Sequence, residues 1–112
     1  MKTREEIQEI IEHVEKTMTT WENIPLDKNK ASKLKTEIKF FIDKNEEDYK
    51  SLDPPSSIRL AFIDISDAVD ELLIYSESKN IKKEDHYFFS ARGRIKNARR
   101  DMIYGLKSLL KE

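Results

Sequence analysis

Apolar side chains recur every three to four positions along nearly the whole chain, the spacing that lines one side of an α-helix rather than one face of a strand. Ile7, Ile10, Ile11, Val14, Met18 and Trp21 fall within one arc when plotted at about 100° per residue. Thr3 and Glu6 ahead of them have the spacing of a capping box, in which hydroxyl and carboxylate satisfy the orphan N–H groups of a helix start. A first helix is therefore predicted over about residues 4–22, closed by Ile24-Pro25 because Pro disfavours a helical predecessor. Asp27 is the predicted N-cap of a second helix over about 28–51, with Ala31, Leu34, Ile38, Phe41, Ile42, Tyr49 and Leu52 on one side. Asn45 interrupts that stripe, and the polar run 45–48 is a place where the helix could fray.

Asp53-Pro54-Pro55 is the strongest boundary in the chain, since Pro54 cannot extend one helix but suits the first turn of the next. A third helix follows over about 54–78 with Ile58, Phe62, Ile65, Val69, Leu72 and Leu73 facing inward and Asn80 as its C-terminal cap. The fourth spans about 83–111, where Phe88, Ala91, Ile95, Ala98, Met102, Gly105 and Leu109 alternate three and four apart like a heptad seam. Gly93 weakens it, and a kink or break there is an open alternative. Such helices are not stable singly in water, and short connections set sequential neighbours antiparallel. The expected fold is all-α: an antiparallel four-helix bundle, up-down-up-down, forming a single domain over 1–112.

Composition agrees with long solvated helices: 38% of the 112 residues are charged, against two Gly and three Pro. Cysteine is absent, which removes disulfides, thiolate nucleophiles and thiolate metal sites. The amino terminus is charged and no apolar run exceeds four residues, so neither a signal peptide nor a membrane span is expected, and the cytoplasm is the expected compartment. A formal net charge of −1 argues against polyanion binding by bulk charge, yet the charge is unevenly placed. Residues 53–78 carry six acidic and one basic side chain, whereas residues 79–112 carry ten basic and four acidic.

Three features are candidates for function. Leu60, Ile63 and Ile74 lie off the core arc of the third helix and Phe40 off that of the second, marking either a protein interface, most simply with a second copy of the chain, or ordinary scattered surface residues or a third helix packed on two sides. On the fourth helix, Arg92, Lys96, Arg99, Arg100 and Lys107 form a basic arc with Phe89 and Tyr104 at its edges, a composition suited to nucleic acid. The bland alternative is that these cations sit beside Asp64, Asp67, Asp70 and Glu71 of the third helix or simply face water. Ala91, Ala98 and Gly105, seven apart, would admit a close helix, from this chain or another. His13 and His86 lack the Glu-x-x-His pattern of carboxylate-bridged metal bundles, and no phosphate loop, nucleophile elbow or His-Glu-x-x-His run occurs. No enzyme activity and no cofactor are expected, a polar pocket near either histidine being the residual alternative. No stretch carries a family signature. The expected function is a non-enzymatic helical interaction module, with a nucleic-acid-binding bundle as the competing reading and no membrane as partner.

Overall fold

The computed structural model describes residues 2–52, 56–79 and 85–111. Four helices account for most of them: α1 (Arg4–Glu22), α2 (Lys28–Lys50), α3 (Ser56–Glu77) and α4 (Asp85–Ser108). The caps read at Thr3 with Glu6 and at Asp27 are in place. The Glu6 amide donates to Thr3 Oγ1 at 3.1 Å while Glu6 Oε1 accepts from the Thr3 amide at 3.0 Å. Asp27 Oδ1 accepts from the Lys30 amide at 2.8 Å and opens α2. The polar run 45–48 stays helical, with Asn45 Nδ2 turned back to the Phe41 carbonyl at 3.1 Å. Helix α4 is continuous through Gly93 and ends at Ser108, before the predicted 111. The predicted boundary at Asp53-Pro54-Pro55, the cap at Asn80 and the start at Lys83 lie outside the described residues.

Three pairs of helices approach closely: α3 with α4, α2 with α3, and α1 with α4. Each runs antiparallel. Arg4 at the start of α1 reaches the Leu110 carbonyl beyond α4, whereas Glu22 at the end of α1 accepts from Arg92 near the start of α4. Along α3 and α4, the Tyr75 and Phe88 rings lie 5.1 Å apart and Ile58 packs over Gly105 at the opposite end. Lys28 at the start of α2 donates to the Ser78 carbonyl just past α3. These pairings give the alternation that an up-down-up-down bundle requires.

Helices α1 and α2, although joined by the short segment 23–27, are the neighbours whose backbones approach least. Aromatic side chains fill the space between them. Trp21 meets the Phe41 ring edge-on at 5.2 Å and donates from Nε1 to Glu37 at 2.9 Å, and Phe41 continues the series to Tyr49 and Phe62. The core runs the length of the molecule and includes Ile7, Val14, Ile38, Ile65 and Ile95, as the periodicity requires. It also takes in Ala61, Ala68, Tyr75 and Leu106, which the sequence reading missed, and leaves Leu73 only half-buried. The molecule measures 51 × 20 × 20 Å.

Candidate functional site

The basic arc of α4 divides into two groups with different partners. Arg92 and Arg99, seven residues apart, turn toward α1: Arg92 Nε donates to the Glu22 carbonyl at 3.1 Å, and its guanidinium lies 5.8 Å from the Phe88 ring centre. Arg99 pairs with both Glu22 and Glu15, the latter at 3.3 Å. The α1 partners are thus a backbone carbonyl for Arg92 and two carboxylates for Arg99, and neither arginine is held by the acids of α3. Lys96, Arg100 and Lys107 remain exposed and make no ion pair among the described residues. Phe89 and Tyr104 are exposed beside them, Tyr104 by 65%. Only this second group, three cations and two aromatics, forms an accessible face.

The acidic residues of α3 gather instead around Arg94, which was not among the predicted site residues. Its guanidinium is 3.6 Å from Asp64 and 3.5 Å from Asp67, and Nε donates to Glu71. Three carboxylates thus share one cation, leaving the outer side of the α3–α4 contact negative. Burial pushes the Asp64 carboxyl up from its ordinary range, against the pull of Arg94. The hydrogen bond to Glu71 and the surrounding carboxylates hold the Arg94 guanidinium firmly charged.

Leu60, Ile63 and Ile74 project from the outer face of α3 and are 52%, 57% and 43% exposed. Phe40 is exposed too, at 67%, but belongs to a different part of the surface. The groove between α2 and α3 presents Lys35, Lys39, Ile42 and Asp43 on one side and Ser66, Val69, Asp70 and Leu73 on the other. Phe40 lies about 100° further around α2 than Lys39, on the far side of that groove. The four predicted interface residues therefore form an α3 patch and an isolated α2 residue. The small-residue seam is internal: Ala91, Ala98 and Gly105 are buried, and a Cβ on Gly105 would sit 2.6 Å from Ile58 Cγ1 of α3.

His13 is exposed, with its ring stacked 6.5 Å from Phe41, and borders a shallow groove with Glu6, Glu9 and Tyr49. Burial, reinforced by Asp48, pushes the Tyr49 hydroxyl up to about 12. A larger open groove of about 600 Å³ lies where α1 passes into α2, with Trp21, Ile24, Lys30 and Leu34 on its walls. Among the described residues, no helix is long and apolar enough to cross a membrane. The chain matches no protein-family model, no curated protein and no solved structure.

Proposed function

We propose that the chain is a non-enzymatic helical interaction module that associates with itself through the outer face of α3, with the cytoplasm as its setting. The observation that carries this reading is the pattern of burial on α3. Its inward positions are closed by α2 and α4, yet Leu60, Ile63 and Ile74 are left in water along one outer stripe. A monomer gains nothing from three large aliphatic side chains there, whereas covering them contributes roughly 25 cal/mol for each Å² removed from water. Phe40 stands apart and adds nothing to this face. Sedimentation across a concentration series tests the reading. Association should be present in the wild type and lost in Leu60→Lys with Ile63→Lys; a monomer at the highest concentrations reached would overturn it.

The competing reading, a nucleic-acid face on α4, draws on Lys96, Arg100 and Lys107 with Phe89 and Tyr104. It is the weaker because Arg92 and Arg99 already have partners on α1. Titration of labelled single- and double-stranded oligonucleotides at low salt decides it: binding that falls steeply with salt would support it. No binding at tens of micromolar would remove it.

A further inference from the structure

The outer faces of α3 and α4 lie side by side, and their chemistry is opposite. On α3, Leu60, Asp67 and Ile74 recur seven apart on the outer side, the two aliphatics exposed and Asp67 half-buried with one oxygen 3.5 Å from Arg94. On α4, Gly93, Arg100 and Lys107 recur seven apart along the exposed side. One stripe is apolar and acidic and the other is basic with a gap in it. The excess of carboxylate around Arg94 adds to the negative side.

Gly93 has no reason within the fold. Glycine inside a helix costs about 1 kcal/mol relative to alanine, and at Gly105 the nearby Ile58 explains that cost. At Gly93 an added Cβ would meet nothing within 4 Å. The absent side chain leaves a shallow dip in the middle of the exposed face, of the kind that lets a second helix come close.

The register of the two helices is fixed by Ile58 against Gly105, Arg94 among Asp64, Asp67 and Glu71, and Tyr75 against Phe88. Interpolated along it, Leu60 lies at the height of Ile103, one residue from Tyr104, Ile63 at that of Arg100, Asp67 at that of Lys96 and Ile74 at that of Phe89. A two-fold axis parallel to the bundle leaves heights unchanged and lays α3 of one copy over α4 of the other. Each outer aliphatic group then meets an aromatic ring or the stem of an arginine, and Asp67 meets Lys96. An axis perpendicular to the helices would set α3 on α3 and α4 on α4, acid against acid and base against base, which costs affinity.

Resting on the self-association proposed above, we infer that the chain forms a two-fold dimer in which α3 of each copy packs, antiparallel, on α4 of the other, centred near Gly93. The exposed cations of α4 are thus the acceptor for a second copy.

Sedimentation equilibrium on the full chain, with circular dichroism to confirm the fold, tests this through three variants. Gly93→Leu fills the dip without touching the core and should weaken the dimer at least about tenfold. Asp67→Lys, and separately Lys96→Glu, should each weaken it similarly, and both changes in one chain should restore it. Wild-type protein that stays monomeric overturns both this geometry and the reading beneath it. A dimer indifferent to Gly93→Leu and to the charge reversals overturns the geometry alone. Tighter association on reversing Asp67 by itself would place α3 against α3 and overturn it too.

Discussion

Gly93 and Gly105 occupy the same helix and meet opposite surroundings, so the same substitution has opposite signs at the two positions. In dilute protein, Gly93→Ala should stabilise the fold by up to ~1 kcal/mol through helix propensity alone. Gly105→Ala forces its methyl against Ile58 Cγ1 and Ser57 Oγ, and overpacking of that kind costs ~1–3 kcal/mol, more than the propensity returns. Urea unfolding midpoints check both, and a stabilising Gly105→Ala would mean that Ile58 moves aside freely. Tyr49 gives a pH signature. Its hydroxyl, neutral and buried, has its pKa pushed up to about 12, against about 10 in an unfolded chain. Below pH ~10 the phenol is neutral in both states and its contribution is fully present. As pH climbs through the window to 12, the unfolded chain ionises first and stability is lost. Stability curves for wild type and Tyr49→Phe should therefore run parallel below pH ~10 and separate above it, the wild type falling faster. Curves that stay parallel throughout would remove burial as the cause.

Between α3 and α4, one guanidinium holds three carboxylates, and removing it leaves them facing one another. Arg94→Met should cost on the order of 1 kcal/mol at low salt, and the loss should shrink near 1 M salt as the remaining repulsion is screened. A salt-independent loss would assign the effect to packing of the side chain instead. That Arg94 has this role was not legible in the sequence, where it sat among many cations, because which acid meets which base depends on the packing order of the helices. The helix starts were legible because caps are local: Thr3 with Glu6, and Asp27, act within one turn. The main core stripe was legible for the same reason. Ala61, Ala68 and Tyr75 were missed because α3 is covered from both sides and buries a wider arc than a single stripe. Leu60, Ile63 and Ile74 were readable as lying off that stripe, but their separation from Phe40 was not, since it rests on what lines the α2–α3 groove.

At the scale of the whole molecule, the orientation of the dimer axis has a consequence for shape. Two rods joined flank to flank keep the length of one, so small-angle scattering of the associated form should fit a particle whose long axis stays near 51 Å while one transverse axis grows to roughly twice the monomer's 20 Å. A particle markedly longer than the monomer would mean end-to-end joining and a different contact. The thin approach of α1 to α2 sets where the interior yields. Three backbone interfaces are tight and the fourth is stopped mainly by large rings, so the four rods behave as a curled mat whose free edges meet at Trp21 and Phe41. Small excursions that part those rings admit solvent without disturbing α3 against α4. Amide deuteration should accordingly advance from that edge, with the α3–α4 pair the last to exchange.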